Sequence, residues 1–195
     1  RDPRQATPQV MAFAVPFGWI LKQEDFEKGL DVLLTDIKRI PPSSVDPTIK
    51  NYLWMDLVTG MLNAYEKGND TAILVDENNN ITEGPGFNIF CVIGSEIFTP
   101  DHGVLEGITR QTVFDLANEL HLSILKKPIS VKELHNADEL FATSTAGGIM
   151  PITKVSGNQV SNGGVGSITR QLHKLYWVKH TDDGWSTSIT DITKL

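Results

Sequence analysis

Lys50 and Glu83, with two glycine-and-hydroxyl stretches further along, are the residues of this chain that could do chemistry. Lys50 follows Asp46-Pro47 and is flanked by Ile49, Tyr52 and Trp54. A lysine in apolar surroundings gives up its charge more easily, and an amine that is neutral near pH 7 can attack a carbonyl. Glu83 stands in Thr82-Glu83-Gly84-Pro85-Gly86-Phe87-Asn88, between an apolar strand and a glycine break. Aimed inward, such a carboxylate can pair with a protonated ring nitrogen. Glu106-Gly107-Ile108-Thr109-Arg110 reads as a loop entering a helix. Free N–H groups, the positive dipole end and the Thr109 hydroxyl converge there and suit a phosphate. Ser144-Thr145-Ala146-Gly147-Gly148 is a second loop of the same kind, and the two could share one phosphate. Taken singly, each feature has a commoner ordinary counterpart: a solvated lysine, a turn carboxylate, a capped helix, a plain connection.

Other chemistries have less support. Neither Gly-x-x-x-x-Gly-Lys nor Gly-x-Gly-x-x-Gly is present, and no Gly-x-Ser-x-Gly elbow exists. The five histidines, at positions 102, 121, 135, 173 and 180, show no metal-ligand spacing, so no metal site is expected. His102, in Asp101-His102-Gly103, reads as a turn residue. The one cysteine, Cys91, lies in the apolar run from Phe87 to Ile93 and reads as a buried, inert thiol. A lone cysteine fits a reducing, cytoplasmic compartment. A net charge of −7 without a basic stripe argues against nucleic acid. No apolar run approaches the roughly 20 residues of a membrane span.

The elements that must position these residues follow from the apolar pattern. With 195 residues, 40% hydrophobic and 21% charged, the chain can build one substantial core. Strands are expected at Val10–Val15, Leu30–Thr35, Thr71–Val75, Leu122–Pro128 and Glu139–Thr143, with short strands between Ile149 and Val160. A hairpin, Asn88–Val92 with Glu96–Thr99, is expected around Gly94-Ser95. A helix over 51–67 would bury Leu53, Leu57, Met61 and Ala64 and end at Gly68. The helix after Thr109 would bury Val113, Leu116, Ala117 and Leu120. A short helix is expected at Val131–Asn136. A last helix, capped by Ser167, would present Ile168, Leu172, Leu175 and Tyr176. The tail from Thr181 reads as loose. The irregular alternation predicts a mixed α/β or α+β fold. The opening Arg1-Asp2-Pro3-Arg4, without an initiator Met, reads as a start inside a longer natural chain.

Four segments occur in order and at family-like spacing: Asp46 to Asn51, Thr82 to Phe90, Thr99 to Arg110 and Ser144 to Ile152. Together, over about Val10 to Tyr176, they resemble the fold-type IV pyridoxal-phosphate aminotransferases. That family includes branched-chain amino-acid, D-amino-acid and (R)-selective amine transaminases. The resemblance implies the strand-rich pseudo-barrel large domain with flanking helices, over 1–195, with the smaller domain that precedes it in the family missing. It implies pyridoxal 5'-phosphate as cofactor, with Lys50 forming the Schiff base and later moving the proton. Glu83 would pair with the pyridine nitrogen, Leu105 would pack on the ring, and Gly107, Ile108 and Thr109 would form one phosphate cup. Ser144 and Thr145 would form the other. Trp54, Phe87 and Asn88 would lie at the cofactor, and Thr145 with Ala146 at the substrate. The implied reaction moves an amino group between an amine or amino acid and a keto acid or ketone, in a homodimer. Gly86-Phe87-Asn88 and Trp54 look more like the amine-transaminase branch. A branched-chain aminotransferase, a lyase of the aminodeoxychorismate type and a cofactor-binding fragment without turnover are the alternatives.

Overall fold

Strand β4, Phe87–Ile93, shows why the sheet reads as unbroken apolar runs: it is buried on both faces. Ile89 and Cys91 join one core, together with Ile73, Leu140 and Ile152. Phe90 and Val92 point the other way, into a second core with Val113, Leu116, Phe141 and Leu172. The computed structural model describes residues 2–188. In chain order the remaining elements are β1 (Leu30–Lys38), α1 (Met55–Glu66), β2 (Thr71–Val75), β3 (Glu83–Gly84), β5 (Glu96–Thr99), α2 (Ile108–Glu119), β6 (Ser123–Lys126), α3 (Val131–His135), β7 (Glu139–Ser144), β8 (Gly148–Val155), β9 (Asn158–Gln159) and α4 (Ser167–Lys179).

The strands form one curled sheet in the order β2-β1-β8-β7-β4-β5-β6, with β3 on β4 and β9 on β8. Its middle, from β8 through β7 and β4 to β5, is antiparallel, and its outer pairs β1–β2 and β5–β6 are parallel. α1 packs Leu57 and Ala64 onto Leu33, Ala72 and Leu74 of the β1–β2 end. α2 and α4 cover the β7–β4 middle. This is the mixed fold the sequence predicts.

The β4–β7 ladder carries the change from core to site. Phe90 faces Phe141 across it, with the rings stacked 4.8 Å apart at an interplanar angle of 4°. One pair further along the same face stand Asn88 and Thr143. The sheet surface thus passes from stacked aromatics to two buried polar side chains, at the end where α2 begins.

Several expectations need correcting. No strand forms at Val10–Val15. Val10, Met11, Phe13 and Val15 are exposed, and no ladder among the described residues includes them. α1 starts at Met55 rather than 51, because the Asn51 side chain accepts the Leu53 N–H (2.8 Å) and holds that stretch in a turn. Leu53 is exposed outside the helix, and Gly60 rather than Met61 lies buried with Leu57 and Ala64. Gly60 is needed there because a Cβ would lie 2.8 Å from Leu74. Ser167 is the first residue of α4 and not its cap. The first-turn N–H groups of Ile168 and Thr169 instead donate to the Glu139 carboxylate, at 3.0 and 2.8 Å. The expected loose tail falls partly on 189–195, outside the described residues.

Candidate functional site

A cavity of about 320 Å³ opens where the ends of β4 and β7, the start of α2 and the 39–54 connection meet. Its wall includes Lys50, Trp54, Glu83, Phe87, Asn88 and Leu105, and also Gly107, Ile108, Thr109, Ser144 and Thr145. Sequence positions spread over nearly a hundred residues are thereby brought to one hollow. Ala146 is not on the wall; its carbonyl accepts the Ile20 N–H at 2.8 Å.

Glu83 is 5% exposed, at the base of the short β3–β4 pairing. Its Oε1 accepts from Arg39 Nε (3.2 Å) and Nη2 (3.1 Å), and its Oε2 from the Leu105 N–H at 2.9 Å. Burial pushes the carboxyl above its ordinary value, against the Leu105 N–H and the Arg39 charge, while the Asp56 charge adds to the rise. Every group on its oxygens is a donor, so these contacts hold the acceptor form.

The start of α2 faces the same hollow. Gly107 occupies the cap position in extended conformation, and no side chain caps the helix. The first-turn N–H groups are therefore left to a ligand or to water. Thr109 is buried there, while Ile108 is exposed. Gly107 is required by close approach: a Cβ would come within 2.4 Å of Asn88 Oδ1. Asn88 in turn donates to the Leu105 carbonyl at 2.8 Å. Arg110, 1% exposed, braces the turn from behind by donating to the Pro100 carbonyl (2.6 Å), to Glu106 and to Thr99 Oγ1. Burial lowers its pKa, opposed by Glu106.

Lys50 lies on the wall but is exposed, as are Ile49 (63%) and Tyr52 (98%). The apolar enclosure suggested by its neighbours in sequence is not built by the described residues. Ser144 ends β7, and its hydroxyl accepts the Ala146 N–H at 3.1 Å. Cys91 is fully buried, with its thiol pushed upward by burial, as an inert core group should be. His102 sits in a bend between Asp101 and Asp76, away from the cavity.

Two wall residues escape sequence reasoning. Arg39 follows β1, and nothing in its local sequence marks it as a site residue. Its side chain is 11% exposed and carries the Glu83 contacts. Thr143 reads as strand filling. Its hydroxyl is buried against the cavity wall with no hydrogen-bond partner among the described residues. Alternation along β7 could have flagged it, since it shares the face of Phe141.

The model of the class IV amino-transferase family matches residues 1–155. A putative branched-chain-amino-acid aminotransferase of Methanocaldococcus jannaschii is 31% identical over 193 residues, covering 97% of this chain and 65% of that protein. The crystal structure of the Escherichia coli branched-chain amino acid aminotransferase superposes with a TM-score of 0.81 at 29% identity, over 90% of this chain and 58% of that one. A T.th. branched-chain amino acid aminotransferase, crystallised as a complex with N-(5'-phosphopyridoxyl)-L-glutamate, gives a TM-score of 0.80 at 27% identity, over 83% and 57%. The chain thus spans 57–65% of the length of these relatives. With its sheet, its cavity and these matches, the chain belongs to the class IV aminotransferase family.

Proposed function

We propose that this chain binds pyridoxal 5'-phosphate and works as a transaminase, moving an amino group between an amino acid and a keto acid. The observation that carries the reading is one cavity with an amine, a buried carboxylate held as acceptor and an uncapped helix start beside two hydroxyl residues. That donor and acceptor set fits the cofactor. A phosphate suits the first turn of α2 with Thr109, Ser144 and Thr145, and a protonated ring nitrogen suits Glu83. The unpartnered Thr143 hydroxyl also calls for a polar occupant. The relative crystallised with a phosphopyridoxyl adduct supports the same assignment.

The bound cofactor supplies an electron sink for the carbon that loses its proton. The rest falls to this chain. Lys50 Nζ would be the covalent anchor of the cofactor and, once displaced, would be the amine that accepts and returns the transferred proton. Glu83 Oε2, the oxygen not taken by Arg39, would hold the ring-nitrogen proton in place. Leu105 packs against the ring, with Trp54, Phe87 and Asn88 bordering the site. Gly107, Ile108 and Thr109 would hold the phosphate still, and Thr145 would border the substrate; Ala146, off the cavity wall, is left out of that role.

For the substrate we favour branched-chain amino acids, from the names of the relatives. An amine substrate is the second reading, favoured by Gly86-Phe87-Asn88 and Trp54. We also propose that residues 1–195 act as one cofactor-binding unit, in a cytoplasmic homodimer. The exposed apolar rim of Ile49, Tyr52, Leu53 and Met55 beside the cavity supports a partner there. No helix among the described residues is long and apolar enough to cross a membrane.

The test is an absorbance spectrum of the purified protein before and after borohydride, with peptide mass mapping. A yellow protein that bleaches and gains a reduced cofactor on Lys50 is expected. A protein that takes up no pyridoxal phosphate would overturn the reading. Turnover of leucine only with a keto-acid acceptor marks a transaminase, whereas turnover without an acceptor marks a lyase.

A further inference from the structure

Arg39 and Asp56 stand 17 residues apart and join across the base of the connection that carries Lys50. Arg39 Nη1 donates to Asp56 Oδ2 at 2.7 Å, and so does the Ile40 N–H at 2.8 Å. Asp56 Oδ1 accepts the Leu57 N–H at 2.8 Å, in the first turn of α1. The other edge of the Arg39 guanidinium grips Glu83. Asp56, Arg39 and Glu83 thus form a buried chain, with side-chain exposures of 8%, 11% and 7%. It runs from the start of α1 to the cavity floor.

We propose that Arg39 is a positioning residue that keeps Glu83 an anionic acceptor aimed into the cavity, and that Asp56 acts by holding Arg39 in that register. The functional meaning rests on the reading of Glu83 as partner of a ring nitrogen. Donor chemistry carries the assignment. Arg39 has a planar fork of donors and no acceptor. Its Nε and Nη2 edge fills one oxygen of Glu83, leaving only the other, shared with the Leu105 N–H and, at 3.4 Å, with Asn88 Nδ2, to meet a further donor from the cavity. Asp56 is a second carboxylate close enough to repel Glu83, yet it takes the third guanidinium nitrogen and so prevents Arg39 from swinging away. The other charged groups facing this site are Arg110 from α2 and Lys50 and Glu106 on the cavity wall.

Two opposed effects make the role of Asp56 testable. As a bare charge, Asp56 disfavours ionised Glu83, so Asp56→Asn would lower the Glu83 titration midpoint. As the anchor of Arg39, it favours ionised Glu83, so the same substitution would raise it. The measurement is ¹³C NMR titration of the glutamate carboxyls in the intact protein without cofactor. Glu83 is identified by the signal that disappears in Glu83→Gln. Arg39→Gln should raise the midpoint by about 1–3 pH units, the range over which an adjacent arginine acts on a carboxylate. Arg39→Lys should raise it less, and Asp56→Asn should raise it too. An unmoved midpoint in Arg39→Gln, or a fall in Asp56→Asn, overturns the proposal. If Arg39→Gln does not fold, Arg39→Lys and Asp56→Asn decide, since a merely structural role would lower melting temperature without moving the midpoint. Failure of the wild-type protein to bind pyridoxal phosphate would instead count against the transaminase reading, and the titration would still report on Arg39.

Discussion

Asn88 packs against Gly107: its Oδ1 would lie only 2.4 Å from a Cβ placed on Gly107. Asn88 also donates to the Leu105 carbonyl at 2.8 Å, so one amide fixes the turn from both sides. In Gly107→Ala either Asn88 or the start of α2 must shift. We expect a loss of about 1–3 kcal/mol, as for other overpacked sites. Affinity for pyridoxal phosphate should fall with it, because the first-turn N–H groups lose their aim. Urea unfolding and a fluorescence titration with the cofactor check both.

Lys50→Ala separates chemistry from stability. Lys50 is exposed, so its loss should change unfolding free energy by no more than about 0.5 kcal/mol. Turnover should fall by at least about 10²–10⁴-fold, the contribution of a positioned proton carrier. Full activity in this variant would remove Lys50 from the mechanism.

Glu83→Gln presents a different problem. Whichever way the amide turns, its NH₂ meets a donor, either Arg39 or the Leu105 N–H. Either two nitrogens of Arg39, or the Leu105 N–H together with the longer Asn88 Nδ2 contact, lose their acceptor, at about 1–3 kcal/mol for each donor left unsatisfied. The variant should still take up cofactor through the phosphate loops but lose most turnover. Unchanged rates in a steady-state assay would exclude Glu83 as the ring partner.

Glu139 joins β7 to α4. Its carboxylate accepts the N–H groups of Ile168 and Thr169 and also the Thr169 hydroxyl, at 2.8–3.0 Å. Glu139→Ala should lower stability by about 1–2 kcal/mol, in the range of a lost helix cap. Differential scanning calorimetry reads the change, and a variant as stable as the wild type would assign the cap to water.

Glu133 gives a pH signature. In the capping box of α3, hydrogen bonds from Lys127 and Ser130 lower its pKa from the ordinary 4.5 to about 2. A depressed carboxyl contributes stability above its unfolded pKa and loses it as pH falls toward its folded one. The stability gap between wild type and Glu133→Gln should therefore be full above pH 4.5 and shrink on going down toward pH 2. A gap that stays constant from about pH 6 to about pH 3 would show that the carboxylate is not engaged in solution.

The parts of the fold legible in the sequence are those where burial is two-sided or a turn has its own chemistry. The β4–β5 hairpin around Gly94-Ser95 and the buried stripe of α2 lie where the pattern places them. Val10–Val15 misleads because an unbroken apolar run states only that the segment is apolar; a strand also needs an edge to pair with. The site divides similarly. Glycine breaks and hydroxyl loops announce Gly107, Thr109 and Ser144. Arg39 carries no local mark, since a charged residue after a strand looks the same whether it meets water or a buried carboxylate 44 residues away. Its role exists only once β1 and β3 are brought to one end of the sheet.

The pinned base of the 39–56 connection has a bearing on adaptation. Its two ends are locked to each other and to Glu83, while residues 48–53 between them are partly or fully exposed. Doubling the length of such a loop costs only about 0.6 kcal/mol in closure entropy. The segment is therefore a cassette: insertions and apolar swaps within it can reshape what reaches the amine while the carboxylate and the phosphate cup keep their places.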